Sequence, residues 1–254
     1  MNWLQRHWDA RAAANFIFGG TGSGLLVAAA LTGIFQDTLM LAALVLIAAG
    51  LGAVWLEIGR KLRAVHVFFN PFTSWMTRES FAAALLFALG LAYLVFHEKA
   101  LFQAAAIAAA GFLYCQARIL RAAKGIPAWR AVEVVPLIVS TGLAEGTGLG
   151  LCFSPTKEML ALFILALAAR VIAWRRYRNA VKSDALERPG AGLLWVGSSA
   201  PLLLLLFAQS FFWVAPLAGL AALAAGWWLK LALVTRASVN QGFSLPHLPV
   251  RGTR

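Results

Sequence analysis

Apolar runs of about 18 or more residues recur from one end of this chain to the other, and a run of that length laid as a helix spans a hydrocarbon core of about 30 Å. Read between charged or helix-breaking residues, the runs fall at Phe16 to Phe35, Thr38 to Ile58, Ser80 to Phe96, Ala100 to Ala117, Val132 to Phe153, Pro155 to Trp174, Gly192 to Phe211 and Phe212 to Thr235. Composition points the same way: 61 % of the 254 residues are hydrophobic and 13 % charged, against roughly half and a quarter in soluble domains. In lipid only helices and closed barrels satisfy every backbone N–H and C=O, and the short alternating strands of a barrel are absent here. The expected fold class is therefore all-α: a single integral membrane domain over residues 1–254, a polytopic bundle of about eight transmembrane helices. The first run is long for a signal peptide and has no convincing small-residue cleavage site, so it is expected to be a retained helix.

A net charge of +12 on a soluble domain would suggest nucleic acid, but the cations fall in the connections between apolar runs, so no nucleic-acid partner is expected. Arg6 and Arg11 precede the first run, and the second connection holds Arg60, Lys61, Arg63 and Arg78. The fourth holds Arg118, Arg121, Lys124 and Arg130. Arg170, Arg175, Arg176, Arg178, Lys182 and Arg188 are assigned to the sixth, and Lys230, Arg236, Arg251 and Arg254 to the tail. Only Lys99 and Lys157 then lie opposite, which puts both termini and the basic face in the cytoplasm. Arg60, Lys61, Arg121 and Arg236 are the candidate contacts for a partner docking on that face. Tight connections at Gln36 and Asp37, His97 to Lys99, and Ser154 and Pro155 make their flanking helices antiparallel neighbours. The longer stretch from Gly59 to Thr77 mixes cations with Val65, Val67, Phe68, Phe69, Phe72 and Trp75, as expected of a segment lying along the membrane surface. No convincing internal repeat is visible.

The four histidines, His7, His66, His97 and His247, all lie in connections or tails, so no haem is expected between the helices. Cys115 and Cys152 stand in separate runs without a C-x-x-C partner, which excludes a zinc or iron–sulfur site built from this chain. Met40 and Met159 read as packing side chains. The stretch Gly19-Gly20-Thr21-Gly22-Ser23-Gly24 lies inside an apolar run with no preceding strand and no Lys-Ser/Thr ending, so it is not a nucleotide loop. It reads as a close helix contact or as a groove that admits a quinone ring.

Ionisable residues within spans are costly and therefore point to function. Glu57, at the end of the second run, is placed either to exchange protons with a bound quinone or to pair with a neighbouring Arg at the surface. Glu145 lies deep in the fifth run, as a step in a proton path or as a polar helix contact. Arg78 and Glu79 open the third helix, where a carboxylate suits the positive end of the helix dipole. Tyr114 and Arg118 are one turn apart and share a face.

Two blocks bring a resemblance. Leu56-Glu57-Ile58-Gly59-Arg60-Lys61-Leu62-Arg63-Ala64 and Asn70-Pro71-Phe72-Thr73-Ser74-Trp75-Met76-Thr77-Arg78-Glu79 are similar to the connection between the second and third spans of the DMSO-reductase-type membrane anchor family, related to the polysulfide-reductase-type anchors. Arg118 to Trp129 resembles the next connection on the same side. Within the family, Thr73 to Glu79 and Thr235 to Phe243 are most like the anchor subunits of phenylacetyl-CoA:acceptor oxidoreductases. The resemblance implies eight spans, no haem, and a quinone, ubiquinone or menaquinone, held near the face that meets a four-cluster ferredoxin-like iron–sulfur subunit. A molybdopterin catalytic subunit completes the implied complex, in the cytoplasmic membrane of a bacterium or archaeon. Where relatives have His-Leu-Gly this chain has Glu57-Ile58-Gly59, so the quinone-site role passes to Glu57 by position alone.

The expectation is thus an anchor that passes electrons from a cytoplasmic iron–sulfur subunit to membrane quinone, with phenylacetyl-CoA as the substrate oxidised by the complex. Glu57, Arg63, Arg78, Glu79, Tyr114 and Arg118 are its candidate quinone and proton-transfer residues. A small-solute or ion transporter with Glu145 and Gln209 along its path is the alternative, and a passive tether the third reading.

Overall fold

The computed structural model describes residues 3–5, 8–58, 61–207 and 211–240, and for 61–64 the backbone alone. The chain is mostly helical. Among the described residues six helices are long and apolar enough to cross a membrane: α1 (Ala10–Leu31), α2 (Asp37–Glu57), α3 (Trp75–Phe96), α4 (Lys99–Ala122), α5 (Val134–Phe153) and, last of these, α8 (Val214–Thr235). Between the last two lie α6 (Lys157–Ala180) and α7, a helical run over residues 187–205. Charges at Lys157, Glu158, Arg170, Arg175, Arg176 and Arg178 make α6 less apolar than the six, and a π-helical turn at Trp195–Ser199 interrupts α7. Thus the chain is a multi-pass helical membrane protein.

Caps rather than apolar residues set the starts of α1 and α3. Asp9 accepts from the backbone N–H of Arg11 at 2.7 Å and starts α1 six residues before the apolar run at Phe16. Ser74 accepts from Thr77 N at 3.3 Å and starts α3 five residues before Ser80. The connection between α2 and α3 contains a 3-10 helix, Lys61–Phe69, with Val65 and Phe69 exposed.

α1 and α5 form the centre, each 72 % buried along its apolar window, whereas α2 and α3 are 33 % and 28 % buried and lie at the edge. Small residues let the central pair close up. A Cβ on Gly146 of α5 would strike the backbone of Gly24 and Leu25 in α1, and one on Gly24 would strike the Gly142 carbonyl. Gly148 of α5 and Gly219 of α8 meet backbone to backbone in the same way. The glycine stretch of α1 is therefore used in helix contacts. Trp3–Leu4 pairs antiparallel with Val239–Asn240, which brings these two segments together at one end of the bundle.

One expectation from sequence is corrected. Arg170 and Lys230 were assigned to basic connections, yet each lies inside a helix, in α6 and α8, at 0 % exposure. Both find acceptors in the protein interior, which the charge count along the sequence has no means of registering.

Candidate functional site

At the end of the bundle where α1 and α3 begin and α2 and α4 finish, a cavity of about 1030 Å³ opens between α1, α2, α3 and the segment joining α2 to α3. Its walls are largely apolar, including Leu51, Val54, Met76, Ala83 and Phe87, with Trp8 and Trp55 beside them. Six polar side chains enter this lining: Asp9, Arg11, Asn15, Glu57, Glu79 and Ser80. Asp9 and Arg11 are bridged at 2.8 Å and half exposed, at the aqueous mouth. The hydrogen-bonded guanidinium of Arg11 holds the Asp9 carboxyl below its ordinary pKa.

Glu79 is the buried carboxylate of the cavity, 5 % exposed, and accepts from Asn15 Nδ2 at 2.9 Å. Asn15 belongs to a π-helical turn, Asn15–Gly19, inside α1. Such a turn widens the helix and offers its carbonyls to outside donors. Two buried side chains use them: Gln116 of α4 donates Nε2 to Asn15 O at 2.7 Å, and Lys230 of α8 donates Nζ to Phe16 O at 2.9 Å. Asn15 Oδ1 and Gln116 Oε1, both buried, have no hydrogen-bond partner among the described residues.

One to two turns deeper, Lys230 Nζ lies 2.6 Å from Glu145 Oε2, with both side chains at about 1 % exposure or less. Thr21 donates its hydroxyl to the same carboxylate oxygen at 2.8 Å, and Trp227 Nε1 donates to Thr21 at 2.9 Å. Arg170 donates to Ala222 O at 2.9 Å, to Ser198 Oγ at 3.2 Å and to Gly197 O, a carbonyl of the second π-helical turn. Each π turn thus receives a buried cation. Glu145 does not line the cavity.

The structure brings Glu57 and Glu79 together in one cavity and puts Arg78, Tyr114 and Arg118 in a separate cluster around Trp75. The Arg78 and Arg118 guanidiniums stack on the Trp75 ring at 4.3 and 4.2 Å from its centroid, and Arg118 Nη1 donates to Tyr114 Oη at 2.6 Å. Lys61 and Arg63 lie in the 3-10 segment, while Arg60 and Gln209 lie outside the described residues. Arg121 is in the last turn of α4, and Arg236 follows the end of α8. Among the described residues no three His, Cys, Asp or Glu side chains gather as a metal-binding group.

Asn15, Gln116, Arg170 and Lys230 were not singled out from sequence. The signal was present in the first two as lone amides within apolar runs, and in the cations as charges flanked by apolar residues on both sides. The chain matches no protein-family model and no curated protein.

Proposed function

We propose that this chain is the quinone-binding membrane anchor of an oxidoreductase complex, and that the quinone headgroup lies in the cavity against Asn15 and Glu79. The cavity carries the reading: a buried carboxylate and an amide oxygen with no partner among the described residues, set in apolar walls at the upper end of the roughly 300–1,000 Å³ usual for small-molecule sites. That lining fits a ring with two polar oxygens and a hydrocarbon tail. A bound quinone supplies two-electron, two-proton redox chemistry. Asn15 Oδ1 would accept a hydrogen bond from a quinol hydroxyl, and Glu79 Oε would hold the proton exchanged with it. Glu57 and Asp9, nearer water, refill it. Glu57 thus keeps the proton-transfer role, with Glu79 as the inner partner.

In the full proposal all eight helices cross the cytoplasmic membrane of a bacterium or archaeon, with both termini cytoplasmic. Support for α6 crossing comes from Leu165 and Ile172, exposed on its outside at 66 % and 54 %, and from Arg170, whose charge is hydrogen-bonded within the bundle. A cytoplasmic four-cluster iron–sulfur subunit and a molybdopterin subunit would dock on the basic end through residues such as Arg60, Lys61, Arg121 and Arg236. Phenylacetyl-CoA is the proposed substrate of that complex.

Purified chain in lipid nanodiscs, titrated with a short-tailed benzoquinone or naphthoquinone, tests the site through Trp8 and Trp55. Saturable quenching of their fluorescence is expected, with affinity about tenfold weaker in Asn15→Leu, the scale of one buried hydrogen bond. Quenching that never saturates, or that is the same in Asn15→Leu, contradicts the site. The buried cluster of Glu145, Lys230 and Arg170 favours a second reading, an ion or small-solute path. That reading requires transport by the chain alone in liposomes, which an anchor does not show.

A further inference from the structure

We propose that the Trp75, Arg78, Arg118 and Tyr114 cluster is a binding site for the phosphate of an anionic phospholipid whose acyl chains run along the outer face of α3 and α4. Both guanidiniums lie against one indole, which puts the two positive charges within about 8.5 Å of each other. Arg78 is held in place by donating Nε to Pro71 O at 2.9 Å and Nη2 to Phe72 O at 2.6 Å. Arg118 is held by Tyr114, whose ring meets Trp75 edge-on at 5.8 Å. Among the described residues neither arginine has a carboxylate within ion-pair distance. Two fixed like charges without a counter-charge form a site for an anion.

The place in the fold selects a lipid. Arg78 lies one turn inside the start of α3, and Tyr114 and Arg118 lie within about two turns of the end of α4, the depth at which Trp and Tyr meet headgroups. From there an exposed stripe descends α4 through Gln103, Ile107, Ala110 and Gly111, and Phe81 and Leu85 of α3 are exposed as well. A Cβ added at Gly111 would meet nothing within 4 Å, so the stripe is an open lane for an acyl chain. Basic pockets between helices at this level suit phosphate headgroups, and a zwitterionic lipid brings its own cation to the same place.

The cluster is separate from the quinone cavity, and the inference stands without the redox reading. Detergent-purified chain is titrated with phosphatidylglycerol, phosphatidylcholine or inorganic phosphate, and bound lipid is counted by native mass spectrometry. Phosphatidylglycerol should bind more tightly than phosphatidylcholine, and inorganic phosphate should not displace it. The pair Arg78→Gln with Arg118→Gln should weaken phosphatidylglycerol binding about 25-fold, at about fivefold per arginine. Arg118→Gln alone, which leaves the Arg78 contacts in place, should show the single step of about fivefold, and the exposed pair Arg175→Gln with Arg176→Gln no change. Equal binding of the two lipids, displacement by inorganic phosphate, or unchanged affinity in Arg118→Gln overturns the site.

Discussion

Lys230 and Glu145 show what a buried charge does in this bundle. Each lies almost fully out of contact with solvent, so neither is tolerable without the other, and the lysine also holds Phe16 O in the π turn that aims Asn15 at Glu79. Lys230→Met alone strands a carboxylate, and unfolding in detergent should show a loss of about 3–5 kcal/mol. Adding Glu145→Gln should return most of that loss, because the pair itself contributes little net stability; additive losses would contradict the coupling. At this scale the sequence was only partly legible. Glu145 stood out as an acid in an apolar run, but Lys230 and Arg170 look like members of the basic connections because their neighbours at Arg175, Arg176 and Arg236 are. What separates them is a carbonyl or carboxylate supplied by another helix, and that contact is not local in sequence.

Among the elements, the long apolar runs located the helices well, and their ends poorly. An apolar run reports the length in lipid, whereas Asp9 and Ser74 start α1 and α3 by capping backbone donors several residues earlier. The π turns in α1 and α7 leave no mark in hydropathy, yet the first of them places Asn15. A close helix contact for α1 was legible as a run of small residues, although neither its partner α5 nor the glycines that meet were. Gly146→Ala places a methyl on the α1 backbone and should destabilise the bundle by about 1–3 kcal/mol, whereas Gly111→Ala faces open space and should be neutral or slightly stabilising. Thermal unfolding of both variants in one detergent checks this, and equal melting temperatures would refute the close approach.

For the whole molecule, the multi-pass helical plan follows from composition and run length, and the end carrying Glu57 and Glu79 follows from the tight connections that force antiparallel neighbours. The cavity does not, because it depends on α2 and α3 standing apart at their basic ends while α3 lies close along α4. Orientation has its own check: Lys124→Cys should react with an impermeant thiol reagent from the cytoplasmic side and Ser154→Cys from the other, in a background lacking Cys115 and Cys152; the reverse pattern would invert the proposed topology. Photolabelling of the chain in membranes with an azido-quinone, followed by peptide mapping, tests whether a quinone occupies the cavity. Label should be confined to the cavity walls, over residues 8–16, 51–58 and 76–87, and suppressed by excess unlabelled quinone. Label on α5, α6 or α8, or label that unlabelled quinone does not suppress, would contradict it.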